Sequence, residues 1–183
     1  MRAQYIVLAA IAGIATDLIL KKKLGLRRSP ITLILSLIAI AILCIVFENP
    51  LVIIKGFLFA QILIFAGVYD GKTKIIPDVV HLMIAAISVI GICPAYAVVG
   101  LIAGLLPFLL IGAIYGGIGG GDIKLMGAAG LVLGAMGIIQ AGIIGLGTTL
   151  IFTILTGKGK DKSIPLAPFL GLGCFVSYCM TYM

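Results

Sequence analysis

"IKLMGAAGLVLGAMGIIQAGIIGLGTTLIFTILT", residues 123–156, decides how many times this chain crosses a membrane. Its only charge is Lys124. A membrane helix needs about 20 apolar residues to cover roughly 30 Å of hydrocarbon, so the run is too long for one span and short for two. Gln140 and the glycines around it predict a turn, which divides the run at about 137/138. Two short spans imply tilt or local thinning of the bilayer.

The rest of the chain reads the same way. Of its 183 residues 62% are hydrophobic and 10% charged, more apolar surface than a soluble domain can hide. Charges and turn residues cut it into helices at about 3–20, 31–47, 51–69, 79–94, 96–115, 123–137, 138–156 and 165–182. The runs are continuously apolar, without the alternation of a membrane barrel. The expectation is an all-α polytopic membrane protein of about eight transmembrane helices. It forms one integral-membrane domain over 1–183, with a first helix and short basic loop at 1–30 and a core at 31–183.

Charge sets the orientation. Eight helices leave seven loops, and the odd ones hold eleven of the thirteen Lys and Arg residues: Lys21, Lys22, Lys23, Arg27 and Arg28, then Lys72 and Lys74, then Lys124, then Lys158, Lys160 and Lys162. Positive loops stay inside, so the odd loops are cytoplasmic and both termini face out. A single span over 123–156 would move the last three lysines outside, which favours eight helices over seven. This placement also accounts for the net charge of +7 without nucleic acid. The first helix is expected to be retained, not cleaved, because its positive cluster follows the apolar run. Cys44, Cys93, Cys174 and Cys179 lie in apolar runs with no CxxC pair, and read as buried, inert thiols and not a zinc or disulfide framework.

Six residues are acidic, and each carboxylate at membrane depth needs a reason. Asp17 has Lys21 one turn on and reads as a helical ion pair. Glu48 sits in an outer turn and Asp161 in a solvated lysine loop. Asp78 follows Pro77 and reads as the N-cap of the fourth helix. Asp70 ends the third helix. Asp122 follows "YGGIGGG" at 115–121, five of whose seven residues are glycine. A helix cap alone does not explain Gly119, Gly120 and Gly121; without side chains they let another backbone approach the carboxylate. Asp70 and Asp122 fall on one membrane face, where two carboxylates that meet share a single proton. That is what aspartic proteolysis requires: one carboxylate takes a proton from water while the other, protonated, polarises the scissile carbonyl. His81, the only histidine, reads as a packed or interfacial residue near that site, within reach of a minor substrate contact.

Three motifs in order complete the pattern: Asp70 followed by "GKTKIIPD", then "GGGDIKLMGAAG" at 119–130, then "IPLAPFLGLG" at 164–173. Together they resemble the type IV prepilin peptidases, the GxGD membrane aspartic proteases, over roughly residues 31–183. The resemblance implies Asp70 and Asp122 as the catalytic pair, with Gly119, Gly121, Lys124, Pro77 and Asp78 as substrate-binding or supporting residues. Lys124 would tune Asp122 or meet an acidic substrate side chain, unless it merely snorkels at a helix start. The resemblance further implies a multi-pass protein of the cytoplasmic membrane with its active site facing the cytoplasm. Its substrate would be a prepilin-like or preflagellin-like protein with a short basic leader and a hydrophobic N-terminal helix. No metal or other cofactor is implied, and no nucleic-acid partner; the lipid bilayer is the other partner. Full-length bacterial members carry paired CxxC motifs after the first helix, linked to N-methylation of the product. Here that place holds only "KKKLGLRRSP", which implies a short form without methyltransferase activity.

Two other readings compete. A presenilin-like or signal-peptide-peptidase-like protease would share the GxGD, but there both aspartates lie within spans and a Pro-Ala-Leu motif follows. Here the aspartates sit at loop edges, and Pro165, Leu166 and Ala167 are in the wrong order. A small transporter or proton pathway would place its carboxylates near the midplane of an internal repeat, and no repeat is visible.

Overall fold

A computed structural model describes residues 2–24, 31–91, 93–157 and 164–183. Arg27, Arg28, Lys158, Lys160, Asp161 and Lys162, on which part of the charge argument rests, lie outside these, as do the side chains of Arg2 and Lys23. Among the described residues there are seven helices and no strand: α1 (Arg2–Leu24), α2 (Ile31–Val46), α3 (Pro50–Thr73), α4 (Asp78–Ser88), α5 (Pro94–Tyr115), α6 (Gly120–Thr156) and α7 (Ala167–Tyr182). α5 and α7 pack on α6, α7 also packs on α3, α4 lies across α6, and α1 and α2 cover the other side of α3.

Polarity is inverted relative to a water-soluble bundle. Ser36, Thr32, Gln61, Lys55 and Ser177 are buried, whereas Ile45 and Leu155 are 80% and 79% exposed. A surface of this kind is stable only against hydrocarbon. By length and composition 50–73, 94–114 and 120–156 are each long and apolar enough to cross a membrane. The chain is a multi-pass helical membrane protein.

Local chemistry sets the helix ends. Asn49 caps α3, its Oδ1 accepting from the Leu51 N–H at 3.0 Å, and Pro50 opens the first turn. The helix runs to Thr73, a turn further than expected, so Asp70 lies inside its last turn and not at a loop edge. It stops at Lys74, whose backbone is left-handed (φ 56°) and whose N–H bonds the Asp70 carbonyl.

The long run is where expectation and structure part. Gln140 is helical; the break falls at Gly134, with φ 68° and ψ −179°, a conformation open essentially to glycine alone. The break reverses the chain. A Cβ placed on Gly142 would lie 3.7 Å from the Met126 Cε, whereas an unbroken helix would hold positions 126 and 142 about 24 Å apart. α6 is therefore two limbs, 120–133 and 135–156, folded against each other without a loop.

A reversal inside hydrocarbon strands the carbonyls of the preceding turn. Hydroxyls from other helices serve them. Tyr182 donates to the Val132 carbonyl at 2.8 Å and Tyr96 to that of Leu133 at 2.9 Å. Ser177 donates to the Gly137 carbonyl at 2.6 Å, just past the break. The Lys55 ammonium donates to the Tyr182 oxygen at 3.1 Å and sits 5.3 Å over its ring, near the negative end of the first limb. Gly100 and Gly104 on α5 face Gly130, Gly134 and Met126 so closely that a Cβ on Gly100 would be 2.7 Å from the Gly134 Cα. This is the small-residue packing that lets membrane helices touch backbone to backbone.

Candidate active site

Asp70 and Asp122 are 5% and 9% exposed, and both line a cavity of ≈ 220 Å³ with Lys74, Ile75, Ile76 and Gly119–Gly121. They are near enough for the charge of Asp70 to act on Asp122. The two acids singled out in the sequence thus share one site, at the end of α3 and the start of α6.

Asp70 is held from α7. Its Oδ2 accepts from the Ala167 N–H at 3.1 Å, one of the four N–H groups a helix start leaves free, at the positive end of its dipole. The approach is possible because Gly67, one turn before Asp70, would bring a Cβ within 3.1 Å of the Pro168 Cα. The third motif therefore contributes a backbone donor to an acid about a hundred residues earlier, a role that its side chains do not advertise.

Asp122 is held from its own helix. α6 starts at Gly120 with Gly119 as N-cap, whose carbonyl accepts from the Asp122 and Ile123 N–H groups at 3.0 and 3.2 Å. The Asp122 Oδ2 lies against this glycine, 3.1 Å from where a Cβ on Gly119 would stand, so a side chain there would crowd the carboxylate. Asp122 Oδ1 is buried without a hydrogen-bond partner among the described residues. Gly121 leaves room for Ile76, whose Cβ would be 3.2 Å from a Cβ there. Gly116 and Gly117, at φ 69° and 82°, turn the chain ahead of the loop.

Pro77 and Asp78 stand differently from expectation. Pro77 occupies the N-cap position of α4 and Asp78 is its first residue, with no side-chain cap bond. Instead the Asp78 Oδ1 accepts from the Lys124 ammonium at 2.8 Å. That partner holds the exposed Asp78 carboxyl below the usual carboxylate range. Lys124 thus reaches Asp78, tying α4 to α6. His81, one turn into α4, has its Nε2 3.1 Å from the Gly121 carbonyl and its Nδ1 3.7 Å from Asp78 Oδ1. Lys74 also escaped sequence reasoning: it lines the cavity and its charge acts on Asp70.

The cysteines divide. Cys44 and Cys174 are buried and Cys179 partly so, but Cys93 is exposed, because it precedes α5 and does not lie within a helix. Among the described residues no three His, Cys, Asp or Glu side chains converge as metal ligands.

A family profile described as the type IV leader peptidase family matches residues 57–157, which include both aspartates. The chain is similar to a prepilin leader peptidase/N-methyltransferase of Bacillus subtilis (strain 168), with 29% identity over 143 residues that cover 72% of this chain and 58% of the relative. The chain thus spans less than two thirds of that relative's length. No solved structure matches.

Proposed function

Because the chain belongs to the type IV leader peptidase family, we propose that it is an aspartic endopeptidase in which Asp70 and Asp122 together activate water. The carrying observation is that both carboxylates line one cavity beside a loop stripped of side chains. A water in liquid occupies about 30 Å³, so ≈ 220 Å³ admits a lytic water and a peptide group.

The pair holds one proton between its two carboxyls. The ionised member takes a proton from water as the water oxygen bonds the scissile carbon, while the protonated member donates to the carbonyl oxygen. Collapse of the tetrahedral intermediate breaks the C–N bond. The amine leaves with a proton from the pair, and the new carboxyl group stays on the leader. Glycines at 119–121 let an extended substrate backbone lie against the acids.

The proposed substrate is a prepilin-like or preflagellin-like protein. Its basic leader is cut at the cytoplasmic face of the cytoplasmic membrane, and its apolar helix stays in lipid. Without the paired CxxC motifs, the protein carries no methyltransferase activity. Co-expression with prepilins, followed by gel analysis of leader removal, tests this. Asp70→Asn and Asp122→Asn are each expected to abolish cleavage while still inserting; cleavage by either variant overturns the two-acid mechanism. Methyl transfer to the product would overturn the short-form reading.

A further inference from the structure

We propose that His81 is a positioning residue for Asp122, acting through the Gly121 carbonyl; the catalytic part of this inference rests on the peptidase reading above. A carbonyl only accepts, so the 3.1 Å contact requires the proton on His81 Nε2. Nδ1 is left buried with no partner, 3.7 Å from Asp78, too far for a hydrogen bond. The side chain is 11% exposed, so water competes little for the Gly121 bond.

The bond matters because Asp122 is lightly held. One carboxylate oxygen is buried without a partner, and the other lies against Gly119 of the same glycine loop, 3.1 Å from where a Cβ there would stand. Where the carboxylate points follows from where that backbone lies. Glycines 119–121 have no side chains to fix it, so external groups must. Two do, both from the segment after Asp70: Ile76 packs on the Cα of Gly121, and His81 holds its carbonyl. The Lys124–Asp78 pair grips the same turn from outside, but Lys124 and Asp78 are 61% and 77% exposed, and such a pair is weak and screened. His81 is the buried half of the clamp, and it links the helix that follows Asp70 to the turn that carries Asp122.

The test uses the full-length protein in detergent or lipid. His81→Gln keeps an N–H at the Nε2 position, His81→Asn moves it to the Nδ1 position, and His81→Leu removes it. With a prepilin substrate, Leu and Asn are expected to lower kcat about 10- to 100-fold with KM changed less than about 3-fold, and Gln to stay within about 5-fold of the parent. Melting temperatures separate this from loss of the fold. Equal activity of all four proteins, or Gln no better than Asn, overturns the inference. A second readout does not need activity: His81 is the only histidine, so ¹⁵N-imidazole NMR of the protein gives a single ring to assign. A proton on Nε2 is expected; a ring whose only proton is on Nδ1 overturns the contact. If the parent cleaves no prepilin, the peptidase reading falls, and the NMR result still decides the His81 bond.

Discussion

Gly134→Ala tests the reversal on which the Asp122 limb depends. At φ 68° and ψ −179° an L side chain is strained, by about 1–3 kcal/mol. The new Cβ would also enter the Tyr96 ring, its position falling within 2.5 Å of the Tyr96 hydroxyl. Moving that ring forfeits the bond to the Leu133 carbonyl, worth about 1 kcal/mol, and overpacking adds about 1–3 kcal/mol. The expected destabilisation is about 3 kcal/mol or more, or roughly 10 °C in melting temperature for a chain of this size. The control is Gly147→Ala in the same helix, where nothing lies within 4 Å; there alanine is expected to be neutral or to gain about 0.5–1 kcal/mol from helix propensity. Melting of both purified variants in one detergent is the assay, with prepilin cleavage alongside. If Gly134→Ala melts with Gly147→Ala, the chain does not turn at Gly134, and the two-limb description is wrong.

Three further outcomes are expected. Tyr182→Phe strands both the Val132 carbonyl and the Lys55 ammonium and is expected to cost about 2 kcal/mol; adding Lys55→Met recovers part of it, because one stranded group is gone, and a double variant as unstable as the sum of the singles refutes the coupling. Cys93 is exposed ahead of α5, and on the proposed topology a membrane-impermeant maleimide labels it in intact cells; labelling only after lysis inverts the topology. Lys124 depresses the Asp78 carboxyl, so the pair stabilises the fold above the unfolded value of about 4 and stops doing so as pH falls through the lower folded value. The melting difference between parent and Asp78→Ala is therefore expected to be small, constant from neutral pH to about pH 5, and to close as pH falls below about 4; a gap that widens on acidification contradicts the ion pair.

The site was legible in the sequence because carboxylates are scarce there. In an apolar chain each one demands a reason, and Asp70 and Asp122 had none of the ordinary ones. Hence two residues 52 positions apart could be singled out together, and the fold brings both to one cavity. The reversal was not legible, because its signal is a single glycine among 25. Gln140 drew the turn by polarity, yet a lone amide is tolerated on a helix. What fixes the break at Gly134 is long-range: Tyr96 and Tyr182 reach it from two other helices. Asp78 misled for a local reason. The helix starts on it and not after it, so its carboxylate was free for Lys124. The same distance hid Ala167, since a backbone N–H has no letter in a sequence.

The reliance on α7 has a consequence for how the protein is made. The Ala167 N–H serves Asp70, the Ser177 and Tyr182 hydroxyls serve the limbs of α6, and all three belong to the helix synthesised after everything they serve. A nascent chain halted before Ala167 is expected to insert yet leave these groups unsatisfied, and cleavage by such a fragment would contradict this. On the proposed reading, the order of translation therefore acts as a safety catch: the candidate site is complete only when α7 has entered the membrane, after the helices it serves.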